Sequence, residues 1–394
     1  MQVRSAHLRD VLARLRAIRE ERGLTRAQLE ESLILGPGWI ECFEEARVLP
    51  TLDVLVALLG ALQADLCALS QGVSSTPRDE PMTRYIYAEP RGADLAIRFR
   101  YAQHDATYLL PDATEQQFNE VLRTLRDGLA RQVAARREAE EQLKRGAVAN
   151  AFLHAVRVWP HANPSDLWYF VVHRAYCDPF NHPAAYSRLN LEQSWKRTGG
   201  WALEEVLIRH YAGPLAKHGI RLFVAPTEEK RRLLAATPVS DRLEPDKADV
   251  LLSARGKGEE MFFGVVHVKA SFAERRTDDV PMSRALIENG YLSPLWTMDC
   301  KAGPAAHPAN KGELGRILIR GERDRRSAKR KDVEEDGYFS ACFSYNRNTL
   351  ATPQGQDVKA RVLVCDFNRP QDDAFVRFIL AGWKAFQRTR RGSS

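Results

Sequence analysis

The hydrophobic period of the chain changes across one short polar stretch, and this change limits the possible architectures more than any other feature. Residues 71–83 are polar and carry Gly72, Pro77 and Pro81, the composition of a linker. Before the linker, apolar residues recur at helical spacing. Leu8, Val11, Leu12, Leu15 and Ile18 form one stripe, and Leu52, Leu55, Leu58, Leu59 and Leu62 form another. Gly23 closes the first helix, and Thr25 followed by Gln28 has capping-box spacing. Gly36-Pro37-Gly38 breaks the chain ahead of Trp39, Ile40 and Phe43. Residues 1–72 are thus expected to form an all-α domain, with a second helix near 25–32 and a third near 36–44.

Beyond the linker, residues 84–110 alternate weakly, as in a hairpin or small sheet. Residues 112–157 read as helical and contain no proline. Their charged part, 131–145, suits a solvated spacer helix, with a dimerising coiled coil as the alternative. From Asn163 the pattern is mixed α/β. Strands are expected at Ala248–Leu252, Phe262–Val268, Leu295–Met298, Ile317–Ile319 and Val362–Cys365, with helices between some of them and a last helix over Ala374–Phe386. The fold class is therefore multidomain. A helical domain (1–72) precedes a region of linker, small sheet and spacer (73–162) and an α/β domain with a central sheet (163–394).

Six cysteines at 42, 67, 177, 300, 342 and 365 show no CxxC spacing, so neither a zinc ribbon nor a dithiol redox site is signalled. Scattered thiols in a chain of this length suit a reducing, cytoplasmic setting. Arg4, Arg9, Asp10 and Arg14 interrupt the first residues, and no apolar run approaches the length of a membrane span. The formal net charge of +7 is compatible with a polyanionic partner without requiring one.

Chemistry concentrates in the segment LEPDKADVLLSARGKGEEMFFGVVHVKASFAERRTDDVP. Two apolar strands flank a Gly-containing polar turn, with Asp249 ahead of the first strand and Lys269 at the end of the second. Twenty residues separate them, which suits adjacent strands of a hairpin and brings both groups to one edge. Phosphodiester hydrolysis uses a carboxylate-held metal beside the scissile phosphate and gains from a lysine near the attacking water. No zinc pattern competes, so the expected cofactor is Mg2+. A second carboxylate is missing two residues before the lysine, where His267 stands as ligand, supporting group or ordinary buried histidine. A rival acidic-x-Lys pair, Asp299 and Lys301, follows the Leu295 run; its partner would be Asp278 or Asp279. Downstream cations, chiefly Arg275, Arg276, Arg325, Arg326, Lys329 and Arg330, suit a phosphate backbone, and Asn346 and Arg347 suit base edges.

Two resemblances follow from these residues. The stretch GLTRAQLEESLILGPGWIECFEEARVLPTLDVLVALLGAL resembles the helix-turn-helix domains of phage-repressor-like regulators. That resemblance makes Leu24, Leu29, Ile40, Leu52, Leu55 and Leu59 core positions, and matches Glu44 or Glu45 to the glutamate before the short turn. The segment Gly36–Glu41 holds no cation, and residues 1–72 carry eight Arg against ten Asp and Glu. DNA contact and protein interaction both stand as roles for this domain. The Asp249…His267-x-Lys269 pattern resembles the PD-(D/E)xK nuclease superfamily, and its surroundings resemble the superfamily's type II restriction endonucleases. The resemblance implies a mixed-sheet α/β domain, and assigns metal binding to Asp249 and catalysis to Lys269. It places the displaced carboxylate at Glu204, Glu274 or Asp299, with Glu204 favoured because a glutamate on the preceding helix commonly joins the site. The expected activity is magnesium-dependent, site-specific cleavage of double-stranded DNA by a homodimer. A helix-turn-helix regulator with a large non-catalytic domain is the alternative, and a nuclease-like scaffold without chemistry is a third.

Overall fold

Thr25 Oγ1 accepts the amide of Gln28 at 3.2 Å, and the Gln28 side chain accepts the amide of Thr25 at 2.8 Å. This reciprocal cap starts the second of the helices α1 (Ala6–Glu21), α2 (Arg26–Ser32), α3 (Trp39–Glu44) and α4 (Leu52–Ala61). They form the helical, helix-turn-helix part of the first of two units, Met1–Thr83 and Arg84–Ser394. The computed structural model describes residues 6–45, 47–48, 50–64, 84–101, 104–131, 137–183, 190–235, 237–238, 244–256, 259–272 and 276–392.

The core of the first unit is built by Leu12, Leu15, Ile18, Leu29, Ile40, Phe43, Leu58, Leu59 and Leu62, with Leu24 and Leu55 packed at its margin. The side chains of Leu8, Val11 and Leu52 lie outside the described residues. Glu44 is buried and takes Arg19 Nε at 2.6 Å and Arg26 Nε at 2.9 Å, so two guanidinium groups balance one desolvated carboxylate. Trp39, at the start of α3, is 46% exposed instead of lying in the core.

The second unit opens with an antiparallel sheet of β1 (Ile86–Arg91), β2 (Asp94–Tyr101) and β3 (His104–Leu110). Next come α5 (Glu115–Ala130) and α6 (Arg137–Val158). These two helices approach so closely that a Cβ on Gly128 would lie 2.5 Å from Ala147 Cβ. The inner face of α6 is its later part, with Val148, Ala151, Phe152 and Ala155 buried, while the described side chains of the charged segment expected as a solvated spacer are exposed or half-buried. Strands, helices and the later sheet share one hydrophobic core. Residues 84–162 are thus joined by packing to 163–394.

The chain continues through a helical run, α7 (residues 164–176, with a π-helical turn at Leu167–Val172), to α8 (Leu191–Ala216), β4 (Ile220–Phe223) and α9 (Thr227–Ala235). Then follow β5 (Val250–Gly256), β6 (Glu259–Lys269), α10 (Arg276–Glu288), β7 (Leu295–Thr297), α11 (Ala328–Glu334), β8 (Cys342–Ser344), β9 (Val362–Val364) and α12 (Ala374–Gly392). The sheet order is β4-β5-β6-β7-β8-β9, antiparallel from β4 to β6 and parallel from β6 to β9. This is the expected mixed central sheet.

Ile317–Ile319 is not a strand. It lies in a long excursion after β7, and Ile319 is exposed. The sheet position is taken by Cys342–Ser344, where Phe343 is fully buried. Among the described residues, no helix is long and apolar enough to cross a membrane.

Candidate active site

Asp249 directly precedes β5 and Lys269 ends β6. The antiparallel register, with Val250 opposite Val266, brings them together. Asp249 Oδ2 accepts the amide of Val268 at 2.8 Å and the Lys269 ammonium at 2.7 Å. The main-chain bond fixes the carboxylate against the strand, so its meeting with Lys269 is not left to side-chain rotamers. On its other edge β6 runs parallel to β7, with Lys269 opposite Thr297. The carboxyl ends of β6 and β7 therefore open on one side, where the antiparallel and parallel halves of the sheet meet.

A third element closes on this point. Asp279, in the first turn of α10, is 5% exposed and places Oδ2 3.2 Å from Lys269 Nζ. Burial works against the Lys269 ammonium, but Asp249 and Asp279 outweigh it and hold its pKa above the ordinary lysine value. Asp279 is thus a fourth candidate for the displaced carboxylate, besides the three expected from the sequence. The signal for it was present: an acidic pair opening the helix after the lysine, read only as part of the rival Asp299 centre.

His267 lies two residues before Lys269 on β6, hence on the same face of the strand. It is fully buried, with Nε2 2.9 Å from Ser293 Oγ and Nδ1 3.9 Å from Asp279 Oδ1. Ser283 donates to Ser293 at 2.7 Å. Burial lowers the His267 pKa to about 4, so the ring is neutral at physiological pH. His267 therefore does not replace the missing carboxylate in charge; it sits behind Asp279.

Glu204 comes from α8 and lines a cleft with Asp249 and Lys269. Trp168 of α7 and Trp195 and Trp201 of α8 form part of its wall. Burial, and then the negative charge of Asp249, push the Glu204 carboxyl up to about 8. Glu205 instead pairs with Arg209 at 2.7 Å, so the two adjacent glutamates diverge. Hard, all-oxygen donors suit a divalent cation such as Mg2+. A cation held by Glu204 and Asp249 would offset both the burial and the repulsion that keep Glu204 protonated, and the donor set therefore fits the metal.

The rival centre is committed elsewhere. Asp299 is fully buried at φ +46°, with Oδ1 accepting the amide of Glu313 at 2.6 Å and Oδ2 accepting Thr349 Oγ1 at 2.6 Å. It pins the excursion after β7, while Lys301 is exposed.

The expected DNA contacts divide. Arg330 is fully buried, donating to Glu334 at 2.7 Å and to the carbonyl of Leu314 at 3.2 Å. Arg326 is held by Asp324, Glu334 and Glu335. Asn346 is fully buried and donates to the carbonyl of Asp299 at 2.9 Å. These three brace the fold and present no free edge to DNA, because each low-dielectric polar group has been satisfied within the protein. Arg347 is exposed, yet its guanidinium caps the carbonyls of Pro160 and His161. Lys329 pairs with Glu313 at 2.6 Å beside the site, and Arg325 is exposed. Arg275 and Glu274 lie outside the described residues, and for Arg276 only the backbone is described.

A second polar cluster, His173, Cys177 and Glu192, lies behind the Trp195 wall, with His173 stacked on Trp195 at 4.4 Å. An N–H of Arg174 faces His173 Nδ1 at 3.3 Å, and a guanidinium can only donate. His173 Nε2 therefore carries the proton and faces Glu192 at 3.5 Å.

The helix-turn-helix domain family model matches residues 11–70. The type II restriction enzyme AgeI of Thalassovita gelatinovora is 40% identical over 255 residues, covering 60% of this chain and 84% of the relative. The chain belongs to the type II restriction enzymes. The crystal structure of the specific restriction endonuclease AgeI–DNA complex matches with a TM-score of 0.62 and 33% identity, covering 73% of this chain and 99% of that one. A restriction endonuclease BsaWI–DNA complex gives a TM-score of 0.34 at 15% identity, over 69% and 93% of the two chains. In this restriction enzyme the Asp249–Lys269–Asp279 cluster and the Glu204 cleft lie in the restriction-endonuclease-like domain, and the helix-turn-helix domain precedes it.

Proposed function

We propose that the protein is a magnesium-dependent endonuclease that cuts double-stranded DNA at a specific sequence, and that Asp249, Asp279 and Glu204 hold the metal around Lys269. The observation that carries this reading is the convergence of three carboxylate-bearing elements on one lysine at the end of β6. When bound there, the cation supplies Lewis-acid stabilisation of the scissile phosphate and of the leaving oxyanion. Lys269 orients the attacking water and offsets charge that develops on the phosphoryl oxygens. His267, braced through Ser293 and Ser283, positions Asp279. Arg325 and the neighbouring exposed cations contact the phosphate backbone. Family membership supports the activity, and the related AgeI structure is a complex with DNA.

Cleavage of both strands of a symmetric site requires two such centres, so the working form is a homodimer on its duplex. The described cysteines are all free thiols, which accords with a cytoplasmic enzyme. The helix-turn-helix unit adds a second binding function, either to DNA or to a protein.

The test is digestion of a broad set of DNAs with Mg2+, with chelator, and with Lys269→Ala. Cleavage lost in the last two and present in the first is expected. Full cutting in excess chelator would remove the metal from this reading. Absence of any cutting by the wild type would favour a non-catalytic role.

A further inference from the structure

Helix α8 contains three glycines, and only two have a reason inside the protein. A Cβ on Gly199 would meet the Trp195 ring at 3.0 Å. Gly213 precedes Pro214, and a side chain before proline crowds its ring in helical geometry. A Cβ on Gly200 would meet nothing within 4 Å. Gly200 has no positive φ among the special backbone positions, so no left-handed conformation demands it. A glycine within a helix is destabilising relative to alanine, and this one is uncompensated by the chain itself.

Its position supplies the missing reason. Gly200 is exposed and lines the same cleft as Glu204, Asp249 and Lys269. Lys196, Gly200 and Glu204 are spaced four apart, so they share one face of α8. That face presents in order an exposed cation, a stretch of helix without a side chain, and a carboxylate of the candidate metal site. Gly200 is about one helical turn from Glu204, about 6 Å along the axis. This is close to the step between neighbouring phosphates of a nucleic-acid strand.

We propose that Gly200 is the seat for the sugar–phosphate backbone next to the scissile phosphate, and that Lys196 neutralises the following phosphate. The inference rests on the nuclease reading above and names the part of its substrate that α8 receives. The strand packs against bare helix, so any side chain at 200 would hold the scissile phosphate away from Glu204. Gly200 is on this account a positioning residue.

The experiment pairs Gly200→Ala and Gly200→Leu with Lys196→Ala. Melting is followed by circular dichroism, and binding is measured in Ca2+ to a short duplex carrying the sequence that the wild type cuts. Gly200→Ala is expected to raise Tm by about 2 °C while weakening binding about tenfold, the cost of overpacking one contact. Gly200→Leu is expected to stay folded and lose cleavage. Lys196→Ala is expected to lower the slope of log Kd against log salt by about one. The proposal is overturned if Gly200→Ala lowers Tm, since the glycine would then serve the fold. It is also overturned if both Gly200 variants bind and cut like a wild type that does cut, an outcome that leaves the nuclease reading standing. A wild type that neither binds nor cuts DNA overturns both.

Discussion

Lys269 Nζ lies 3.2 Å from Asp279 Oδ2, joining the end of a strand to the first turn of the helix that follows it. With Asp249 at 2.7 Å on the other side, the ammonium is shared by two nearly buried carboxylates. The Glu204 carboxyl lines the same cleft as this Asp249–Lys269 pair.

Asp279→Asn keeps the shape of the side chain and removes its charge. It is expected to lower cleavage by at least about a hundredfold through lost metal affinity, with DNA binding in Ca2+ less affected. Single-turnover cleavage at rising Mg2+ checks this. Asp299→Asn, at the buried hub after β7, should instead lower Tm, and wild-type stability in that variant would contradict its assignment.

Lys269→Ala leaves Asp249 and Asp279 facing each other without their cation. The metal-free variant should melt lower than the wild type, and Mg2+ should raise its Tm by more than it raises that of the wild type. Cleavage should be abolished. Lys301→Ala, which alters an exposed residue, should cut normally; a dead Lys301→Ala with an active Lys269→Ala would move the centre to Asp299.

Glu204 sets a pH dependence. Its folded pKa, about 8, lies above the ordinary glutamate value of 4.5, so the folded state holds the extra proton between those values. Stability of the metal-free protein from this group is complete below about 4.5 and is lost as pH rises through about 8. Metal binding needs the ionised form, so the Mg2+ concentration for half-maximal cleavage should fall from pH 6 to pH 9. Glu204→Gln should remove the loss of stability at high pH, which melting curves in chelator would show. An unchanged pH profile in this variant would exclude Glu204 as its source.

In the first unit, Glu44→Ala leaves Arg19 desolvated without its partner and should cost about 3–5 kcal/mol, enough to unfold much of a small helical domain. A separate low-temperature transition in calorimetry is the expected sign. Removing residues 1–83 should leave the second unit folded, with weaker or less selective DNA binding. Unchanged binding would assign the helix-turn-helix unit to a protein partner, in keeping with its acidic balance and exposed Trp39.

Local signals in the sequence determined much of this protein. The Thr25–Gln28 cap, the leucine stripes and the Asp249–Lys269 hairpin are set by residues near in sequence or by a twenty-residue register, and periodicity reports such features directly. The family pattern pointed to Glu204 on the helix before the sheet. Only the tertiary structure decided which polar residues face the cleft. Asp279 reaches Lys269 because α10 folds back over the parallel edge of β6, and no spacing rule encodes that return. Arg326, Arg330 and Asn346 look like surface polar groups in a basic stretch, yet burial has turned each into a brace, because a desolvated charge or amide must find its partner within the protein. Ile317–Ile319 has the composition of a strand but lies in a solvent-facing excursion, and Cys342–Ser344 takes the place in the sheet. Composition sets which groups a chain carries; whether a given group meets substrate or protein depends on how the fold brings separate elements together, as where Asn346 donates to the carbonyl of Asp299, 47 residues away.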